Sequence, residues 1–168
     1  MKIIIKAIEF ANRAHADQVR KYTGQPYIFH PMRVAMAVAN HRGSDEMICA
    51  AVLHDTVEDC GVHIADILKE FGPDIARLVD ELTNKTKASD LPRAERKRMD
   101  RERIATISTD AKIIKALDRI DNLRELVNAP YDFRKKYHQE SRELLRVLST
   151  HIPESIEFEL NSCCPELP

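Results

Sequence analysis

The chain has 168 residues, of which 43% are hydrophobic and 32% charged, with a formal net charge of −1. That length suits one domain with a real core and is short for two. The balanced charge excludes a global pull toward nucleic acid or an anionic membrane, so any grip on a polyanion has to come from a local basic patch.

There is no Trp and there are only four Gly, while Ala, Leu, Ile, Arg and Glu abound, a composition that favours helices. The run Met1-Lys2-Ile3-Ile4-Ile5-Lys6 is too short an apolar core for a signal peptide. No stretch approaches the roughly 20 apolar residues of a membrane span. Cys49, Cys60, Cys163 and Cys164 have neither zinc-type nor disulfide-framework spacing, which predicts a reduced, cytoplasmic protein with Cys49 as a buried thiol.

The apolar period is helical almost throughout. Ile4, Ala7, Ile8, Ala11 and Ala14 form one face of a first helix. Lys21 to Pro26 is rich in turn residues. Pro31 suits the first turn of a second helix with Val34, Ala35 and Val38 inside. Gly43-Ser44-Asp45 offers a stop and then an N-cap for a third helix running to about Glu58. Residues 63–71 and 73–82 read as a helix pair hinged at Gly72-Pro73. Residues 84–92 are polar and predict a loop. Charged residues 93–107, then 110–127 and 130–148, predict three more helices. The expected fold is a single all-α bundle of about eight helices over residues 1–150, with 151–168 as a loosely packed tail.

The chemistry concentrates in His54-Asp55-Thr56-Val57-Glu58-Asp59, directly after the apolar run Met47 to Leu53. A metal site needs ionisable groups at the edge of a dry, rigid core. His30, at a loop-to-helix junction before Pro31, and Asp118, which ends the apolar run from Ile113, complete a ligand set with His54 and Asp55. Two imidazoles and two carboxylates suit Mn²⁺ or Fe²⁺, and Zn²⁺ is also compatible. Taken singly, His30 also reads as a helix cap, and Asp118 as a salt-bridge partner of Arg119 or Arg124. The order of the pieces carries the reading.

That order resembles the HD superfamily of metal-dependent phosphohydrolases, and within it the hydrolase domain of RelA/SpoT homologues, above all the stand-alone alarmone hydrolases. The matching pieces are residues 14–21, Gly24 to Pro31, Ala50 to Asp59, Phe71-Gly72, Leu78 to Thr83, Leu91-Pro92-Arg93 with Glu95-Arg96-Lys97, and Asp118 to Arg124. The resemblance implies one Mn²⁺ held by His30, His54, Asp55 and Asp118. It gives Glu58 and Asp59 the attacking water, Arg20 and Lys21 the guanosine base, Asn122 the sugar, and Arg93 with Lys97 the phosphates. Asp17, Ala116-Leu117 and Asp121 depart from the common pattern without removing a ligand.

The implied reaction is hydrolysis of the 3′-pyrophosphate of ppGpp and pppGpp to GDP or GTP plus pyrophosphate. The same ligands would also serve another nucleotide, such as an adenosine alarmone or the 2′-phosphate of NADPH. A non-catalytic domain that senses nucleotide is the third reading. A small-molecule nucleotide is the expected partner, with no nucleic acid or membrane, and the residues leave the oligomeric state open.

Overall fold

Ten α-helices run through the residues that the computed structural model describes, 2–85 and 91–165. Besides these, the described residues include one short 3₁₀ turn and a lone antiparallel bridge between Val19 and Pro26. Contacts gather into two units, Met1–Thr83 and Asn84–Pro168. No helix among the described residues is long and apolar enough to cross a membrane.

The first unit holds α1 (Lys2–Ala14), α2 (Phe29–Asn40), α3 (Asp45–Leu53), α4 (Thr56–Asp59), α5 (Ile64–Phe71) and α6 (Pro73–Leu82). Helix α3 is its axis and packs against α1, α2 and α6. Met47, Cys49, Ala50, Ala51, Val52 and Leu53 are all buried, because α3 is apolar on every side after Asp45 and Glu46. Each buried Val or Leu there stabilises the unit by about 1.5–3 kcal/mol. The Ser44 hydroxyl caps α3 by accepting from the Met47 amide at 3.3 Å. Gly43 ahead of it is required by space, since a Cβ there would stand 2.4 Å from Val38 Cγ1.

The third helix ends five residues before the sequence predicts. Asp55 has φ −93° and ψ −8°, in the bridge region. The buried Thr56 hydroxyl donates to the Leu53 carbonyl at 2.7 Å, taking an acceptor that a continuing helix would use. A separate single turn, α4, then carries Glu58 and Asp59. The two acids therefore do not close a long helix.

The second unit holds α7 (Arg93–Thr106), α8 (Thr109–Glu125), a 3₁₀ turn (Leu126–Asn128), α9 (Tyr131–Leu148) and α10 (Glu154–Ser162). Helix α8 is its spine, packed against α9 and α10, and Ser108 caps it by accepting from the Ala111 amide at 3.3 Å. Of the expected 84–92 loop, residues 86–90 lie outside the described residues. The expected loose tail instead folds as α10. Pro153 initiates it, Ile156 and Leu160 are fully buried one turn apart, and Arg142 donates to the carbonyls of Cys164 and Pro165. Helices α4 and α10 account for the two beyond the eight expected.

Candidate metal centre and active site

Three of the sequence-predicted ligands converge in the first unit. His30 is the second residue of α2, His54 follows α3 and Asp55 precedes α4. One ligand atom from each lies within 4.8 Å of the other two. Asp55 Oδ2 is 3.1 Å from His54 Nε2 and 3.7 Å from His30 Nε2. The imidazoles are almost fully buried, at 1% and 3% exposure, and meet edge to face with centroids 5.3 Å apart.

The His54 tautomer follows from its partner. Nδ1 lies 2.8 Å from the Ala51 carbonyl, which can only accept, so Nδ1 carries the proton and Nε2 presents a lone pair. That is the arrangement metal-ligating histidines adopt. Two imidazole nitrogens and a carboxylate oxygen aimed at one point fit a divalent ion. The break after Leu53 makes this geometry: consecutive residues on an unbroken helix would diverge by about 100°.

A group of polar residues to which the sequence reading gave no role surrounds the cluster. The Tyr27 hydroxyl donates to Asp55 Oδ2 at 2.7 Å and stands 3.3 Å from Asp59 Oδ2. Burial, then the Asp55 carboxylate, hold the phenol well above its ordinary value, so it stays protonated and donates. His15, 2% exposed, stacks on the Tyr27 ring at 4.7 Å. Its Nδ1 lies 2.7 Å from Gln18 Oε1 and 3.1 Å from Cys60 Sγ. Gln18 Nε2 donates to the Asp59 carbonyl at 2.9 Å. Burial, then Asp55 and Glu58, push the Asp59 carboxyl up to about 6. The available signal was the three-residue spacing of Tyr27 and His30, which places both at one helix start.

Arg20 and Lys21 lie in the turn between α1 and α2, and the Arg20 guanidinium sits 5.2 Å from the centre of the Tyr27 ring. Lys21 lies over Tyr22. Glu58 is exposed on α4.

The other predicted residues belong to the second unit. Asp118 is buried on α8 and accepts from Lys115 Nζ at 2.9 Å and from Asn122 Nδ2 at 2.6 Å. Arg119 lies over the Tyr137 ring, and Arg124 pairs with Glu159. Burial opposes the Lys115 charge, but Asp118 and Asp100 outweigh it and hold the ammonium above its ordinary value. Arg93 makes a bidentate pair with Glu140, at 2.7 and 2.8 Å. Lys97 lines a cavity of about 200 Å³ with Arg101, Lys136 and Glu140, and burial, then Arg119, lower its ammonium.

Residues 7–150 match the HD domain family, which fixes the class to which this fold and its His-Asp cluster belong. Guanosine-3′,5′-bis(diphosphate) 3′-pyrophosphohydrolase of Homo sapiens is 40% identical over 127 residues, covering 73% of this chain and 69% of its own. The protein of that name from Aquifex aeolicus is 36% identical over 87% of this chain, which spans 21% of its length. A solved structure of a metazoan orthologue of SpoT that hydrolyses ppGpp superposes with a TM-score of 0.88 at 31% identity, covering 97% of this chain and 94% of that one. Within the HD-domain class, the chain belongs to the family of the guanosine-3′,5′-bis(diphosphate) 3′-pyrophosphohydrolases.

Proposed function

We propose that the chain is a cytoplasmic, Mn²⁺-dependent hydrolase that removes the 3′-pyrophosphate of ppGpp and pppGpp. The observation that carries this is the shared point of His30 Nε2, His54 Nε2 and Asp55 Oδ2, in a chain related to enzymes named for that reaction. By family resemblance Asp118 is the fourth ligand. A divalent ion bound there supplies charge for the phosphate and acidifies water.

The chain's own residues do the rest. Asp59 and Glu58 orient the attacking water and take its proton. The water oxygen forms a bond to the 3′-linked phosphorus, the bond from phosphorus to O3′ breaks, and O3′ leaves as a hydroxyl after gaining a proton. Lys97 and Arg93 balance the charge of the departing pyrophosphate. Arg20 stacks on the guanine and Lys21 holds its edge. Asn122 hydrogen-bonds the sugar.

Purified protein with Mn²⁺ and ppGpp should release pyrophosphate and GDP in equal amounts, read by anion-exchange chromatography. A protein that binds Mn²⁺ but leaves ppGpp intact overturns the reading. A panel including an adenosine alarmone and NADPH then tests the base and the phosphate position.

A further inference from the structure

We infer that Tyr27 is the positioning residue of this site: its hydroxyl fixes the Asp55 and Asp59 carboxylates, and its ring seats Arg20. The inference rests on the hydrolase reading above and extends it to a residue with no ionisable role.

The hydroxyl donates at 2.7 Å to Asp55 Oδ2, the same oxygen that faces both imidazoles. A carboxylate oxygen has two lone-pair directions. Occupying one with the phenol proton leaves the other aimed at the ligand cluster. Without that bond, the broad terminal torsion of an aspartate would let the group swing, and Asp55 is only partly enclosed, at 19% side-chain exposure. The longer contact to Asp59, 3.3 Å, ties the water-handling carboxylate to the same hydroxyl. One phenol thus sets the spacing between a ligand and the acid that works beside it.

Tyr27 is itself held rigidly. Its amide donates to the Gln18 carbonyl at 2.9 Å, and its carbonyl accepts from the His30 amide at 3.0 Å. His15 stacks on the ring, and His30 meets it edge-on at 5.9 Å. The ring therefore has a fixed plane against which the Arg20 guanidinium rests, 5.2 Å from its centre. Hydroxyl and ring serve different ends, metal and water for the first and nucleotide for the second, and substitution separates them.

Y27F keeps the ring and removes the hydroxyl. In the full chain, its Mn²⁺ affinity without substrate, measured by equilibrium dialysis, should weaken about tenfold. At saturating Mn²⁺, kcat for ppGpp should fall about tenfold, with KM within about twofold of wild type. Y27L removes the ring as well and should in addition raise KM about fivefold or more. Y27F with wild-type Mn²⁺ affinity and kcat overturns the inference. So does Y27F whose only change is a lower Tm of the metal-free protein, since that marks a purely structural tyrosine. If the wild-type protein binds Mn²⁺ but does not cleave ppGpp, the functional reading falls, while the dialysis result still decides whether Tyr27 positions Asp55.

Discussion

His54 Nε2 and Asp55 Oδ2 lie 3.1 Å apart, although the two residues are consecutive, because the chain leaves the helix between them. The Thr56 hydroxyl on the Leu53 carbonyl marks that departure. Thr56 is fully buried, so T56V keeps the shape and strands the carbonyl. Stability should fall by about 1–3 kcal/mol, read by urea unfolding, and Mn²⁺ should bind more weakly. An unchanged Mn²⁺ affinity would show that the break holds itself.

H54A removes a ligand whose other nitrogen is already committed to Ala51. Wild-type protein at a Mn²⁺ concentration about 100 times its Kd should gain about 2.7 kcal/mol. Calorimetry should show that rise in Tm for wild type and its loss in H54A. A chelator should abolish both the rise and the hydrolysis, and Mn²⁺ should restore them.

The Asp59 carboxyl, pushed up to about 6, binds its proton more tightly folded than unfolded. Its contribution to the stability of the metal-free protein is therefore full below about pH 4 and lost as pH rises through about 6. The residue as a whole is open to solvent, although its carboxyl leans in beside Tyr27, so solvent screening keeps this below about 1 kcal/mol. D59N resembles the protonated form and should flatten the fall in stability between pH 4 and pH 7. Parallel pH profiles for wild type and variant would refute it.

Glu140 behaves with the opposite sign. Burial raises its carboxyl, but the bidentate Arg93 pair outweighs that and holds it below the ordinary value. Its stabilisation is present above about pH 4.3 and lost as pH falls through the lowered value. E140Q should cost about 1.5–3 kcal/mol at pH 7 and clearly less at about pH 3. A loss equal at both values would mean that packing, and not the ion pair, is what Glu140 supplies.

Gly43 has no room for a methyl group, with Val38 Cγ1 2.4 Å from where its Cβ would lie. G43A should destabilise by about 1–3 kcal/mol through overpacking, read as a lower Tm with Mn²⁺ affinity unchanged. A neutral result would show that the turn between α2 and α3 gives way freely.

Much of the fold was legible because it is local. The apolar stripe of α1, the Ser44 cap and the Gly72-Pro73 hinge each depend on residues within a turn or two. Helix α10 was not legible: residues 151–168 read as a loose tail, yet Pro153 starts a helix whose Ile156 and Leu160 find a buried surface that no local pattern announces. The halt of α3 at Leu53 was also illegible, because the Thr56 hydroxyl on the Leu53 carbonyl and the turn at Asp55 interrupt a periodic pattern that runs on to Glu58.

By itself the sequence determined most of the helices and the donor types, since periodicity and side-chain chemistry are properties of residues and their neighbours. It also offered His30, His54, Asp55 and Asp118 as one ligand set. The tertiary structure alone decided that donor atoms of His30, His54 and Asp55 meet within 4.8 Å and that Tyr27 stands against Asp55 from 28 positions away. Contacts of that kind depend on how α2 and α3 pack, and packing belongs to the folded chain as a whole.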